Sequence, residues 1–338
     1  MPANTITTVV SFKKQFRAEI LNKFTTLAVG YLDGDNREVL VTCGEDGVLH
    51  VYTIDNSTDS DQCLKKIKTL DSKCSSIQCI CIAEVTRFGS NDLIVADSKG
   101  HIVVFFKEQI VCRKKVSDYP LSSLAVYNKP NGMVVIVAAD IEGMIVAFNP
   151  YIEFWKFHIS NIPIPKGPSS LVKILAIHIA HLKMSENTVD YILISDTARQ
   201  LLFLRNGKLV HKIILPFCAT AISSGYYQKS STNTEIAIAS ENGSIHLLNN
   251  TEIILNDYAN LNVPVKKMKT IRVTHCKDTV DTLICTGNFD SVFGVRDGTV
   301  SQYETTDWIE NTSITDSSSL YLGSKDNSLF SIKLDLDS

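Results

Sequence analysis

Apolar and polar residues along this chain follow a short pattern that recurs seven times. Each copy has an apolar strand, two or three polar residues that usually end in glycine, and a second strand of alternating apolar residues. Side chains alternate between the two faces of a strand, and a tight turn joins antiparallel neighbours, so each copy predicts a β-hairpin. The predicted hairpins span residues 38–54, 92–106, 133–149, 191–205, 235–249, 282–296 and 319–333.

Four of the hairpin tips have a glycine at a matching position, where a positive backbone φ is expected because glycine adopts it without a steric penalty. The hairpins recur at a spacing of roughly 35 to 55 residues, which is typical of β-propeller blades. The sequence therefore predicts an all-β fold, with residues 1–338 forming a single β-propeller of seven blades. Six blades is the alternative, because residues 288–298 fit two hairpin registers. The tip glycines are Gly47, Gly100, Gly143 and Gly243.

A further apolar segment precedes each hairpin and is predicted to form the innermost strand of its blade. We expect these strands to be covered on both faces by neighbouring blades, which explains their near-continuous apolar residues. Such segments include residues 25–31, 77–85, 121–126 and 172–181.

The last hairpin ends a few residues before the C-terminus, so the last blade lacks an outer strand. The β-rich N-terminal segment 5–12 (TITTVVSF) is predicted to supply it and to close the ring. Closure removes exposed sheet edges, which otherwise invite aggregation. Residues 12–21 are predicted to be helical for a turn or two.

One long connection, residues 151–167, combines aromatic residues with prolines. Aromatic side chains on a proline-stiffened loop lose little entropy on binding, so this connection is the predicted partner-binding surface. The alternative is that the same aromatic residues cap the rim of blade 3. The predicted binding residues are Tyr151, Phe154, Trp155 and Phe157.

Composition changes this picture little. Hydrophobic residues make up 44% of the chain and charged residues 20%, with a net charge of −3, so nothing favours nucleic acid as a partner. The N-terminus has no apolar secretion signal, and the most apolar stretch, 133–148, is interrupted by Asp140 and Glu142. It is also shorter than the roughly 18 residues of a membrane span. The protein is expected to be soluble and cytoplasmic.

Nine cysteines are present, and most lie within apolar runs, as reduced and buried thiols do. Cys79 and Cys81 lie two residues apart on one face of a predicted strand, without further metal ligands nearby in sequence. His178 and His181 are three apart on a predicted strand and therefore point to opposite faces. No cofactor, metal or catalytic residue is predicted from these pairs.

Two other features of the sequence are candidate sites. Three basic clusters lack interleaved aromatic residues and are predicted to be solvated outer strands. Asp33 and Asp35 flank Gly34, and oxygen ligands at alternate positions suit calcium. Tyr31 stands where a third carboxylate would be needed, so the sequence favours an ordinary Asp/Gly turn over a calcium site. The basic clusters are Lys65, Lys66 and Lys68, then Arg113, Lys114 and Lys115, then Lys266, Lys267 and Lys269.

The first predicted blade, GYLDGDNREVLVTCGEDGVLHVY from Gly30, resembles the FG-GAP type of repeat, and the later copies resemble degenerate versions. The chain does not resemble a WD40 protein, because neither Trp155 nor Trp308 is followed by aspartate.

Two groups of intracellular propellers are similar over most of the chain. Segments 145–157 and 208–223 resemble the N-terminal propellers of the Bardet-Biedl syndrome proteins, the BBSome subunits that carry membrane cargo into and out of cilia. The opening blade, 24–55, also resembles the FG-GAP repeat protein of the KICSTOR complex, which tethers a regulator of nutrient signalling at lysosomes.

These resemblances imply a non-catalytic scaffold that binds other protein subunits. The alternatives are an enzyme that uses the central channel, for which His178 and His181 are the main candidates on innermost strands, and a calcium-dependent adhesion propeller.

Overall fold

The seven-bladed arrangement is visible directly in the sheet topology. The computed structural model describes residues 10–32, 34, 37–55, 63–129, 131–162, 172–184, 187–229, 231, 233–249, 252–272, 280–315 and 319–336. Within these ranges the strands form seven antiparallel sheets of four strands each. The all-β, seven-bladed propeller predicted from the repeats is therefore confirmed.

The strand bounds are as follows, from the innermost to the outermost strand of each blade. Blade 1 contains β2 (Thr26–Tyr31), β3 (Glu38–Cys43), β4 (Val48–Ile54) and β5 (Leu64–Asp71). Blade 2 contains β6 (Ile77–Ala83), β7 (Asp92–Asp97), β8 (His101–Phe106) and β9 (Gln109–Lys115). Blade 3 contains β10 (Leu121–Asn128), β11 (Val134–Asp140), β12 (Met144–Phe148) and β13 (Glu153–His158). Blade 4 contains β14 (Ile174–Met184), β15 (Asn187–Asp196), β16 (Gln200–Arg205) and β17 (Lys208–Ile214).

Blade 5 contains β18 (Ala219–Gly225), β19 (Glu235–Ser240), β20 (Ser244–Asn249) and β21 (Glu252–Asn260). Blade 6 contains β22 (Val265–Ile271), β23 (Thr282–Gly287), β24 (Ser291–Arg296) and β25 (Thr299–Glu304). Blade 7 contains β26 (Ile309–Ile314), β27 (Ser319–Ser324), β28 (Ser328–Leu336) and, as its outermost strand, β1 (Val10–Glu19). A single turn of 3-10 helix, Ile159–Asn161, follows β13.

All seven predicted hairpins are present as the two middle strands of a blade. The tip glycines have the expected positive φ, with 73° at Gly47 and 79° at Gly100. At Gly100 the approach of a neighbouring chain segment is also very close, because a Cβ there would lie 2.0 Å from the carbonyl oxygen of Ser117. The ambiguity at residues 288–298 resolves into two successive hairpins, one joining β23 to β24 and the other joining β24 to β25.

Successive side chains along a strand point to opposite faces of the blade, and each face packs against a neighbouring blade. In blade 2, Ile94 packs with Ile136 of blade 3, while the adjacent Val95 packs with Val41 of blade 1. Every residue of β7 and of β11 is buried. The innermost strands differ from the prediction, since β6 and β10 are mostly half-buried. Their inner edge faces the central channel instead of another strand, so in blades 2 and 3 the second and third strands supply most of the core.

Strand β1 closes the ring, as predicted, by pairing with β28 in antiparallel register. The prediction of its extent was wrong, because the strand runs on to Glu19 where a helical turn was expected. A register shift between Lys14 and Phe16 interrupts the alternation and hides it in the sequence. Beyond it, Phe16 and Ala18 are again buried on the core side. Residues 1–9 lie outside the described part of the chain.

Candidate interaction face and central channel

The loop of residues 84–91, which joins β6 to β7, is fixed by its own hydrogen bonds. The buried Asp92 carboxylate accepts from the backbone N–H groups of Val85 and Thr86, both at 2.7 Å, and from the Thr86 hydroxyl at 2.8 Å. The backbone N–H of Gly89 donates to Glu84 Oε1 at 3.0 Å. Such internal bonds give an exposed loop a single conformation, which lowers the entropy lost when it binds a partner.

The same loop joins three blades into one surface. Asn91 Nδ2 donates to the carbonyl of Tyr31 in blade 1 at 2.9 Å. On the other side, the Tyr151 hydroxyl of blade 3 donates to the carbonyl of Thr86 at 3.0 Å. The guanidinium of Arg87 donates to the carbonyl of Gly132, also in blade 3. The loops of blades 1, 2 and 3 at this end of the ring are therefore held together.

Several large apolar side chains on this surface are exposed to solvent. Phe88 lies 56% exposed at the loop tip, edge-on to Phe106 with ring centroids 4.9 Å apart. Tyr151 is 66% exposed and Ile152 is 54% exposed on the β12–β13 connection, and Tyr31 is 41% exposed at the end of β2. We call Tyr31, Phe88, Tyr151 and Ile152 the apolar face patch.

Positive charge borders the apolar face patch. Lys107 Nζ lies 5.5 Å from the Phe106 ring centroid, and Lys129 Nζ lies 5.5 Å from that of Phe154. Arg87 is part of the same loop as Phe88. Two acidic residues near this edge already have partners: Glu153 is paired with Lys114 at 3.6 Å and with Lys156 at 3.3 Å, and Glu84 accepts from the backbone N–H of Gly89.

A cavity of about 550 Å³ opens beside the apolar face patch, between blades 2 and 3. Glu84, Arg87 and Tyr127 line it together with Gly132. Pockets next to exposed aromatic residues are where anchor side chains of a partner usually insert.

The four residues predicted to bind a partner divide between two environments. Phe154, Trp155 and Phe157 belong to β13, the outermost strand of blade 3, so this part of the predicted loop is a strand. They are half-buried against the core between blades 3 and 4. Trp155 covers Gly207 of blade 4, where a Cβ would lie 2.7 Å from the indole Cγ. Tyr151 is the one of the four on the open surface, and partner binding by these residues stays a prediction.

Sequence reasoning missed Phe88 and Tyr31. Phe88 is a single aromatic residue in the polar loop stretch RFGSN, and Tyr31 is the last residue of an apolar strand. Neither belongs to an apolar run in its loop, so only the hydrogen bonds between loops show that they share a surface. The prolines at 163, 165 and 168 lie outside the described residues.

The central channel differs from the prediction in its charge. Of the three basic clusters, those in β5 and β9 are on outermost strands as expected. The third is in β22, which is an innermost strand, so its placement on an outer strand was wrong. Lys267 Nζ donates to the carbonyl of Glu310 at 2.5 Å and to Asn311 Oδ1 at 3.2 Å. Enclosure by the channel wall lowers the pKa of Lys267 below its usual value.

His178 and His181 of β14 diverge, as predicted. His178 Nε2 lies 2.8 Å from the Ser224 hydroxyl of β18, whereas His181 Nδ1 lies 2.6 Å from Asp190 of β15. Burial, with a smaller contribution from Lys269, lowers the pKa of His178 to about 3. His178 is therefore neutral at neutral pH and a weak base.

The eight cysteines within the described ranges are free thiols. Burial raises the pKa of Cys79, on β6, to about 11 and raises that of Cys81 as well. Both thiols are therefore protonated at neutral pH and poor metal ligands. In the described part of the chain no group of three or more His, Cys, Asp or Glu side chains is arranged to hold a metal ion. The calcium candidates Asp33 and Asp35 lie outside the described residues.

No protein-family model matches the chain, and no curated protein matches its sequence. Among solved structures it is similar to BBS1N in complex with ARL6DN, in a mercury-soaked crystal (TM-score 0.73, 15% identity, covering 96% of this chain and 97% of that chain). A lead-soaked crystal of the same complex gives a TM-score of 0.74 at 15% identity, covering 97% of this chain and 98% of that chain.

The WD40 β-propeller domain of Doa1 is similar with a TM-score of 0.66 and 10% identity, covering 96% of this chain and 97% of that chain. Identities this low establish the fold alone. The resemblance to the propellers of Bardet-Biedl syndrome proteins is thereby confirmed at the level of fold. Among the described residues no helix is long or apolar enough to cross a membrane.

Proposed function

We propose that this chain is a non-catalytic scaffold that binds other protein subunits through the apolar face patch, within a complex of the BBSome type. In this role it works in the cytoplasm and reaches the ciliary membrane through its partners. The observation that carries the proposal is the apolar face patch itself: three exposed apolar side chains on loops and one at the end of β2, with hydrogen bonds joining these segments. Exposed apolar groups of this kind on a rigid surface are typical of protein-binding sites.

The chemistry of the patch specifies the kind of partner it suits. An anchor side chain on the partner would fill the cavity between blades 2 and 3, while the rings of Phe88 and Tyr151 pack around it. The bordering Arg87, Lys107 and Lys129 favour acidic residues on the partner around that anchor. The structurally similar BBS1N propeller was crystallised in complex with another protein, ARL6DN, which supports a role in protein binding.

The channel side chains support a non-catalytic role. The His178–Ser224 pair resembles a base and a nucleophile, but a histidine with a pKa near 3 is too weak a base to activate a hydroxyl at neutral pH. The Cys79 thiol, with a pKa near 11, is a poor nucleophile for the same reason.

The test is affinity purification of the tagged chain from its native cells, followed by mass spectrometry of the co-purifying proteins. Ciliary coat subunits together with a small GTPase are the expected result. Lysosomal nutrient-signalling proteins would instead assign the chain to a scaffold of the KICSTOR type. Recovery of the chain alone and monomeric would contradict the scaffold proposal and turn attention to an enzyme acting in the channel.

A further inference from the structure

Charge is distributed unevenly between the channel and the rest of the chain. The whole chain has a net charge of −3. Its innermost strands nevertheless include a single acidic residue, Glu310 of β26. The same strands contain the lysines Lys266, Lys267 and Lys269, all of them in β22. The described innermost strands therefore contain more basic than acidic residues.

Lys269 is the cation best placed to bind a ligand. It lines a cavity of about 780 Å³ in the channel, formed by β2, β6, β22 and β26. Cys81 of β6 lines the same cavity from another blade, and Lys269 itself is exposed. Within the described part of the chain, Lys269 forms no hydrogen bond or ion pair. Lys267, two residues earlier, is instead fixed to β26 through Glu310 and Asn311.

Hydroxyl groups complete the lining of this cavity. The Ser313 hydroxyl oxygen accepts from the backbone N–H of Val29 at 3.0 Å, so its own O–H is available to donate. Thr312 lines the same wall and lies 3.1 Å from the Thr286 hydroxyl. At the cavity edge, Arg272 is paired with Asp281 at 3.4 Å. An ammonium group beside hydroxyl donors is a donor set that suits oxyanions.

We propose that the central channel binds a small, multiply charged oxyanion of the phosphate type, held by Lys269 with Lys267 and the Ser313 hydroxyl beside it. The ammonium groups of Lys267 and Lys269, two residues apart on β22, repel each other, and a bound anion offsets that repulsion. The enclosure also strengthens the attraction, because the channel wall has a lower dielectric response than open water. The volume of the cavity admits a condensed phosphate or a phosphate ester. This site is separate from the apolar face patch, so the two can be tested independently.

The test uses isothermal titration calorimetry of the purified full chain with inorganic tripolyphosphate, and with inorganic phosphate and sulfate for comparison, at low ionic strength. We expect one tripolyphosphate per chain, bound more tightly than inorganic phosphate or sulfate. Lys269→Met should weaken tripolyphosphate binding by about tenfold or more, because a charge-assisted contact is lost.

The matched control is Lys66→Met on β5, which removes the same charge from an outermost strand and should leave the affinity unchanged. Thermal unfolding of each variant checks that the ring is intact. If Lys269→Met and Lys66→Met lowered the affinity for tripolyphosphate equally, binding would depend on the overall charge of the chain and not on the channel, which would overturn the proposal. Absence of saturable heat with the wild-type chain would overturn it as well. A second measurement needs no mutation and follows the melting temperature of the wild-type chain. At equal ionic strength, tripolyphosphate should raise this temperature more than sulfate does, because it binds the folded chain more tightly.

Discussion

Phe16 offers a direct probe of ring closure by β1. It is 4% exposed and packs in the core between blades 7 and 1, with its ring centroid 6.4 Å from that of Tyr321. Burying about 150 Å² of a phenylalanine ring at about 25 cal/mol per Å² contributes about 4 kcal/mol. Phe16→Ala removes this contribution and leaves a cavity, so the free energy of unfolding should fall by about 3 to 5 kcal/mol.

Urea unfolding followed by tryptophan fluorescence measures this loss. Lys14→Ala on the same strand is the control, because Lys14 is exposed and its replacement should change the stability by at most about 0.5 kcal/mol. If Phe16→Ala cost less than about 1 kcal/mol and matched Lys14→Ala, then β1 would not be packed into blade 7, and closure of the ring by β1 would be refuted.

Three further predictions concern a hairpin tip, a channel histidine and the loop under Phe88. Gly100→Ala should lower the free energy of unfolding by at least about 2 kcal/mol, because φ at Gly100 is 79° and the Ser117 carbonyl occupies the space that a Cβ needs. The control is Gly132→Ala, where φ is 76° and the surrounding space is open, so the loss in the same urea unfolding experiment should be about 1 kcal/mol. The pKa of His178 is lowered to about 3 in the folded chain, so between pH 6.5 and 3 this histidine is protonated in the unfolded chain and neutral in the folded one. The free energy of unfolding of the wild type should therefore fall by about 2 kcal/mol from pH 7 to pH 5 through this group alone. His178→Gln should lack that component, and parallel pH profiles for the two proteins would contradict the assignment. Asp92→Ala should cost about 2 to 4 kcal/mol and expose the 84–91 loop to protease, because three donors lose a buried acceptor; an unchanged cleavage rate would show that the carboxylate does not order the loop.

The hairpins were predictable from the sequence because their determinants are local. Alternating apolar residues and a glycine with positive φ lie within about 15 residues of one another, as at Gly47 and Gly100, so the chain contains the whole signal in one window. The closing strand was predictable from a different argument, since a blade with a missing outer strand needs a partner. The extent of this strand, β1, could not be predicted, because the register shift after Lys14 breaks the alternation of apolar and polar residues that identifies a strand.

The candidate sites depend on distances between blades, which a single sequence does not contain. Lys267 and Lys269 have the alternating polar pattern of an outer strand, and only the order of strands in blade 6 places them in the channel. Phe88 and Tyr151 are 63 residues apart in sequence, and the hydrogen bond from Tyr151 to Thr86 brings their loops together. Trp155 was predicted to face a partner, but its neighbour Gly207 leaves just enough room for it to pack between blades.

The most direct test of the proposed function compares what two surface variants retain during affinity purification from native cells. Phe88→Asp changes the apolar face patch, and Val210→Asp introduces the same charge on β17 at a matched exposure, 55% against 56% for Phe88. Quantitative mass spectrometry should show that Phe88→Asp loses the protein subunits that wild type retains, by roughly thirtyfold for an anchor worth about 2 kcal/mol, while Val210→Asp retains them. Equal retention by all three proteins would contradict binding through this face.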